Sequence, residues 1–379
     1  MIGIKDALKL FGISVVSFCA VFVCTFMLNF YIDVQTVERS VTDTMRPLYD
    51  AQLAMSKFTC IISGGVLGVI AAVMLAFYIK LYVDANAKRI GVIKAMGYSD
   101  GAIARRFWVF GLSVFVGAGV GFAVGYAVMP ILYRNMTVEG LDVPIRFHAE
   151  LAAYLVVVPS VVMTALSCGL AYLSVKRPVS ELLRGRSEND RPKWKGNEKE
   201  SMRRSFLSDM RASVVASKKS IAFFVAFACF CFSAMVQMGL SMNELSSALM
   251  GGIILTIGVV LAAVTTVMAV TTLVNRNIKS ISVMKAFGYT LKECALSVFT
   301  GYIPFAMIGF GLGTVYQYAL LKLMMTYVFD GVAGVPDYSF GVFEFFITVA
   351  LFVVAYTLVT AVYTVKLSRI SVKEIMSEE

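Results

Sequence analysis

Long apolar runs alternate with short charged ones from one end of this chain to the other. Eight of the runs, near residues 12–32, 58–80, 107–130, 151–175, 219–241, 250–273, 294–322 and 343–365, reach the roughly 20 residues that a helix needs to cross a hydrocarbon core. Ahead of the first, Ile2, Ile4, Leu8 and Leu10 are interspersed with Lys5, Asp6 and Lys9, which predicts a short interfacial helix. The first run is too long for a signal peptide and no small-residue cleavage pattern follows it, so it reads as a span. The intervening segments differ in charge. The N-terminus, the loops about 81–106, 176–218 and 274–293, and the tail 366–379 hold most of the Lys and Arg, and they alternate with loops about 33–57, 131–150, 242–249 and 323–342. An excess of basic residues marks the cytoplasmic side. The expectation is a multi-pass protein of the plasma membrane with both termini cytoplasmic.

The chain also repeats itself. Gly117-Ala-Gly119-Val-Gly121 in the third span matches Gly309-Phe-Gly311-Leu-Gly313 in the seventh, and Ile4-Lys5-Asp6-Ala7-Leu8 before the first span resembles Leu207-Ser208-Asp209-Met210-Arg211 before the fifth. Pro178-Val179-Ser180-Glu181-Leu182-Leu183 after the fourth span resembles Ser371-Val372-Lys373-Glu374-Ile375-Met376 after the eighth. Both units start on the same side, as parallel repeats do. The predicted fold is therefore an all-α integral membrane protein of about eight transmembrane helices in two parallel four-helix repeats, residues 1–176 and 207–379. A basic linker, 177–206, joins them. Its Lys and Arg residues suit either anionic head groups, at about 1 kcal/mol for each well-placed charge, or a solvated tether.

Composition agrees and narrows the chemistry. The chain is 59% hydrophobic and 15% charged, against about 45–50% and 25% in soluble domains. The net charge of +10 follows the alternate loops rather than a nucleic-acid surface. One histidine, His148, and cysteines without metal-ligand spacing exclude a multi-histidine metal site. The cysteines, mostly within apolar runs, read as small hydrophobes. No Asp, Glu, Lys or Arg lies near the middle of a span, and Asn29 and Gln317 are the amides well inside one. Ion-driven transporters generally need intramembrane ionisable groups. The chain has no Gly-x4-Gly-Lys-(Ser/Thr) phosphate loop, so it does not bind ATP by that motif, and no nucleophile–base constellation points to an enzyme. The stripes Gly117, Gly121, Gly125 and Gly309, Gly313 predict close helix packing, and Pro159 and Pro304 predict kinks. The Met- and aromatic-rich stretches 129–136 and 323–329 suit interfacial anchors or a surface for amphipathic ligands.

The most informative stretch joins the second and third spans: Lys88-Arg89-Ile90-Gly91-Val92-Ile93-Lys94-Ala95-Met96-Gly97-Tyr98-Ser99. It recurs as Lys279-Ser280-Ile281-Ser282-Val283-Met284-Lys285-Ala286-Phe287-Gly288-Tyr289-Thr290. Helical spacing up to each Gly, a residue free to be left-handed, predicts a helix that ends there. Ser99 and the box Thr290-Leu-Lys-Glu293 predict the cap of a second helix.

These residues resemble the FtsX/MacB-like permease domain of ABC transporters. That family carries Arg-x-x-Glu-Ile-Gly-x-x-(Lys/Arg)-Ala-Leu-Gly-Ala between its second and third helices. Ile90-Gly91-Val92-Ile93-Lys94-Ala95-Met96-Gly97 matches well, and Ile281 to Gly288 matches less tightly. The segments after the fourth and eighth spans resemble the family's end signature. Both copies depart at the family's acidic position, which holds Arg89 and Ser280, so any pairing made by that Glu must differ here. A large extracellular domain, frequent in the family after the first helix, has no counterpart in loops 33–57 and 242–249. The resemblance implies a non-catalytic permease subunit, one chain serving as both halves. Its coupling helices would comprise Arg89, Ile93, Lys94, Ala95, Met96, Gly97 and Tyr98, and Met284, Lys285, Ala286, Phe287, Gly288 and Tyr289. They would dock a cytosolic ABC ATPase dimer, which alone would bind ATP and Mg. Partners would further include membrane lipids and a hydrophobic or amphipathic substrate, such as an antimicrobial peptide or lipid, for export or extraction. The rival reading is an ATPase-coupled signalling or scaffold protein that moves no substrate.

Overall fold

The computed structural model describes residues 4–38, 46–136, 143–184, 219–245, 248–328 and 338–368. The first repeat consists of α1 (Ile4–Thr36), α2 (Arg46–Ala85), α3 (Ala87–Ala95), α4 (Asp100–Arg105), α5 (Trp108–Met136), α6 (Ala149–Ala152), α7 (Val158–Val175) and α8 (Val179–Arg184). The second consists of α9 (Lys219–Leu245), α10 (Ala248–Ala286), α11 (Leu291–Val328) and α12 (Val342–Ser368). Eight helical stretches are long and apolar enough to cross a membrane, running 11–36, 49–85, 100–134, 149–175, 221–241, 254–274, 299–326 and 342–362. Each contains most of one run expected from the sequence. The fold is all-α, with no strand among the described residues; helices satisfy their backbone groups internally where lipid offers no hydrogen-bond partner.

Several helices outrun their expected limits. The N-terminal segment from Ile4 is continuous with the first span. Residues 46–57, expected as loop, form the first three turns of α2. The basic linker from residue 185 to 218 and the tail from 369 lie outside the described residues. Pro159 lies at the start of α7, directly after a π-helical turn at Ala153–Val157. Such a turn accommodates the backbone groups that a proline frees. Pro304 and Pro130 lie inside α11 and α5.

The chain divides into two compact units. Unit 1 comprises residues 1–185, 238–257 and 318–340; unit 2 comprises 186–237, 258–317 and 341–379. Within unit 1, α1 is the inner helix and packs against α5 and α2. Ile13, Val16, Phe30 and Val34 have no exposed surface. Part of the Met-rich rim is core: Met129, Leu132 and Tyr133 pack with Phe26, Met27 and Phe30, whereas Ile131 and Leu323 are exposed. Leu321 and Met324 of α11 are buried against Ala54, Met55 and Phe58 of α2 and Met238 of α9. Unit 1 thus includes parts of both sequence repeats. The core of unit 2 gathers Ile221, Val225 and Cys229 of α9, Leu273, Ile281 and Met284 of α10, and Phe299 and Tyr302 of α11.

Glycine permits close helix approaches. A Cβ built at Gly117 would overlap the carbonyl of Ser14, one at Gly121 would come 2.5 Å from the carbonyl oxygen of Phe18, and one at Gly125 would lie 3.3 Å from Thr25. Ser14 also donates a hydrogen bond to the carbonyl of Ser113 at 2.8 Å. The second repeat has the same seam, with Gly309 against the carbonyl of Ala226 and Gly313 2.5 Å from that of Phe230. Between the seam positions, a Cβ at Gly119 or Gly311 meets nothing within 4 Å. Gly121→Leu should therefore force α1 and α5 apart and destabilise the protein by about 1–3 kcal/mol or more, read as earlier unfolding in detergent. Gly119→Leu, two residues away, should be neutral or slightly stabilising.

Candidate functional site: two glycine-turned hairpins

The chain leaves α2 at Asn86, whose side chain donates to the carbonyl of Tyr82 at 3.0 Å. It then runs through α3 and stops at Gly97. Gly97 has φ +93°, a conformation that an L side chain strains to adopt. Its N–H bonds the carbonyl of Lys94 at 3.0 Å, and that of Tyr98 bonds the carbonyl of Ile93 at 3.4 Å. This pair of bonds defines a Schellman turn. Ser99 then caps α4 by accepting from the N–H of Ala102 at 3.3 Å. The second hairpin has the same ending. Gly288 has φ +88°, and the N–H groups of Gly288 and Tyr289 bond the carbonyls of Lys285 and Met284 at 3.1 and 3.2 Å. The capping box is also present: Thr290 N–H donates to the Glu293 carboxylate at 2.9 Å, and Glu293 N–H donates to Thr290 Oγ1 at 3.4 Å. The hydrogen bond from the Thr290 N–H holds the Glu293 carboxyl below its ordinary range.

The two hairpins differ in how they join their spans. The first is segmented, with breaks at Asn86 and again at Arg106–Phe107, where Ser167 of α7 donates to the carbonyl of Phe107 at 3.2 Å. In the second, α10 runs unbroken into the turn and α11 unbroken out of it. Exposure differs too. In the first copy Arg89, Ala95, Gly97 and Met96 (65%) are exposed, as are Tyr98 (51%) and Val92 (50%), whereas Ile93 and Lys94 are half-buried. In the second, Phe287 (72%) and Gly288 are exposed. Met284 is in the core, Tyr289 packs against it, and Lys285 is half-buried. The side chain of Ala286 lies outside the described residues. Each turn therefore presents a large apolar residue, Met96 or Phe287, immediately before its glycine.

Lys94 is engaged within the chain. Its Nζ lies 2.8 Å from Asp100 Oδ1 and donates to the carbonyls of Val175 at 3.1 Å and Arg177 at 2.9 Å. Arg177 in turn meets Asp84, at the end of α2, at 3.1 Å. The short helix α8 packs against α3 and buries Leu182. The hairpin motif and the segment following the fourth span, distant in sequence, are thus neighbours in the fold.

A polar cluster lies at the opposite end of α1. Asp33, with no exposed surface, accepts from Tyr133 at 2.8 Å, from Asn29 Nδ2 at 2.7 Å and from the Arg146 N–H at 3.3 Å, and it pairs with His148 Nε2 at 2.9 Å. Tyr126 donates to Asn29 Oδ1 at 2.7 Å and accepts from the His148 N–H at 3.2 Å. Sequence reasoning left Asp33 in a loop and used His148 only to exclude a metal. The available signal was the four-residue spacing of Asn29 and Asp33, which places both on one helix face. In the register set by the two glycine seams, the second repeat has Ser241, Leu245 and Phe340 in place of Asn29, Asp33 and His148. Among the described residues no group of three His, Cys, Asp or Glu side chains is arranged to hold a metal.

These features define a multi-pass helical membrane protein built from two repeats, each carrying one hairpin of the same design. The chain belongs to the FtsX-like permease family: the family model described as FtsX-like permease C-terminal matches residues 61–178 and 252–372. Each match begins within the second span of a repeat and ends just beyond the fourth, so it takes in the hairpin. Membership supports an ABC transporter permease subunit, a class that pairs with a cytosolic ABC ATPase. No curated protein and no solved structure gives a significant match to the chain.

Removing the Asp33 carboxylate would leave Asn29, Tyr133, His148 and the Arg146 N–H without their shared acceptor. Asp33→Ala should destabilise the protein by about 1–3 kcal/mol or more, the cost of leaving buried donors unsatisfied, measured by unfolding in mixed micelles. Ser241→Ala, at the position of the second repeat that matches Asn29, should have a much smaller effect.

Proposed function

We propose that this permease receives force from a cytosolic ATPase dimer through its two hairpins, each docked on one ATPase subunit. The exposed tips, Met96 with Val92 and Tyr98 in one hairpin and Phe287 in the other, would fill clefts on the ATPase. By the positive-inside rule, the surrounding basic residues support a cytoplasmic position for this end of the spans. Both termini would then be inside and the Asp33 cluster near the outer leaflet. ATP and Mg would be bound by the partner alone. ATP-driven closure of the dimer would draw the hairpins together and rearrange the far ends of the helices, where a hydrophobic or amphipathic substrate is extracted or exported.

The carrying observation is the pair of matching left-handed glycine turns, each exposing a large apolar residue at its tip, in a chain with no phosphate loop of its own. An exposed Met or Phe beside charged residues gains little in water, whereas burial of such a side chain in a partner's pocket contributes about 1.5–3 kcal/mol. The unequal tips fit two non-identical contacts on the dimer.

The test is the double variant Met96→Asp, Phe287→Asp in the full chain, co-expressed with its ATPase. An interface hot spot is worth about 2 kcal/mol or more, so affinity for the ATPase should fall by roughly thirty-fold or more per site. The variant itself should remain folded, because both side chains are exposed. Undiminished assembly would refute docking at the tips. In the intact complex, ATP hydrolysis that responds to a hydrophobic ligand supports transport; hydrolysis indifferent to every such ligand favours the signalling reading.

A further inference from the structure

Lys94 was expected among the docking residues, yet its surroundings give it a different task. An ammonium group has three N–H donors and no acceptor. Three oxygens, Asp100 Oδ1 and the carbonyls of Val175 and Arg177, lie within 3.1 Å of Nζ. The two carbonyls accept hydrogen bonds from it, Asp100 forms an ion pair with it, and its side chain is only 17% exposed. Met96 and Tyr98 beside it are exposed.

The three acceptors belong to different elements. Val175 and Arg177 lie at the C-terminal end of α7, where carbonyls lack helical partners and the helix dipole favours a cation. Asp100 is in the first turn of α4, where a carboxylate is favoured for the converse reason. Lys94 itself is in the last turn of α3. One charged group therefore ties both arms of the hairpin to the end of the fourth span. The Arg177–Asp84 pair extends the tie to the end of α2, and α8, which follows the same junction, packs against α3.

We infer that Lys94 is a positioning residue that fastens the α3–α4 hairpin to the C-terminal end of α7, so that movement of the hairpin is passed directly to the fourth span. This inference rests on the reading of the hairpin as the site where force enters. The tie itself is a property of the chain alone and can be measured without the ATPase.

The experiment uses the full chain in lipid nanodiscs, with other reactive cysteines replaced and nitroxide labels at Arg105→Cys on α4 and Lys176→Cys at the end of α7. Both positions are exposed and neither side chain takes part in the tie. The background with native Lys94 should give one narrow inter-label distance distribution by electron paramagnetic resonance, unchanged when ATPase and ATP are added. Lys94→Met, which keeps length and removes both hydrogen bonds and the ion pair, should broaden it. Asp100→Asn, which removes only the ion pair and perturbs folding least, should broaden it partially. ATPase affinity of Lys94→Met should stay within about three-fold of the parent, well short of the roughly thirty-fold loss expected for an interface hot spot. An unchanged distribution in Lys94→Met overturns the inference. So does a hot-spot-sized loss of ATPase affinity with the distribution intact, which would return Lys94 to the docking surface. If the parent protein binds no ATPase at all, the docking reading fails, while the distance measurement still decides whether the tie exists.

Discussion

In each repeat, glycines of the third span lie directly against the backbone of the repeat's first helix. In lipid there is no hydrophobic gain from bringing two apolar helices together, because hydrocarbon solvates them equally well; association relies on packing and on hydrogen bonds. Gly117, Gly121 and Gly125 allow α5 to lie directly on α1, and Gly309 and Gly313 do the same for α11 on α9. This approach permits the Ser14–Ser113 hydrogen bond in the first repeat. In the second it brings Gln237 of α9 within 2.9 Å of both Ser233 and Thr314. In the first repeat the seam also aligns the ends of the spans, which places the hairpin at one end of α5 and the Asp33 cluster at the other.

Breaks in the helices explain much of the remaining polar chemistry. Where the first hairpin is segmented, Asn86, Ser167 and Lys94 each supply a side-chain donor to a carbonyl at or near a helix end. The second hairpin, with continuous helices on either side, has its turn and the Thr290–Glu293 box, and Asn277, in the place of Asn86, likewise donates to a carbonyl, that of Leu273 at 2.8 Å. The repeats have diverged in their end chemistry while keeping the glycine turn that fixes the direction of the chain. They have diverged at the opposite end too, where the hydrogen-bonded cluster of Asn29, Asp33 and His148 in one corresponds to Ser241, Leu245 and Phe340 in the other.

Much of the fold was legible in the sequence because the relevant signals are local. Eight apolar runs became eight spans, since length and hydropathy alone decide whether a helix can cross lipid. Gly97, Gly288, Ser99 and the Thr290–Glu293 box were legible because a left-handed turn and a cap each need a particular residue at a fixed offset. What escaped depends on partners far away in the chain. Nothing near Lys94 announces that its acceptors include carbonyls more than eighty positions later. Asp33 looked like a loop residue because α1 runs one turn beyond its apolar core, and its partners Tyr133 and His148 lie a hundred or more positions away. In the Met-rich rim, composition does not say which face of a helix meets a neighbour. Met129 and Met324 are buried by packing that only the assembled helices provide.

Two unequal hairpin tips are, on this reading, the places where an ABC ATPase grips the permease. The direct measurement is photocross-linking in native membranes, with a photoreactive amino acid placed singly at Met96 or Phe287 and, as a control, at Phe147, which is 68% exposed but remote from the α3–α4 hairpin. Each tip position should give an adduct with the ATPase, on different residues of the two ATPase subunits, and Phe147 should give none. Absence of any ATPase adduct from both tips, in membranes where the two proteins copurify, would contradict docking there.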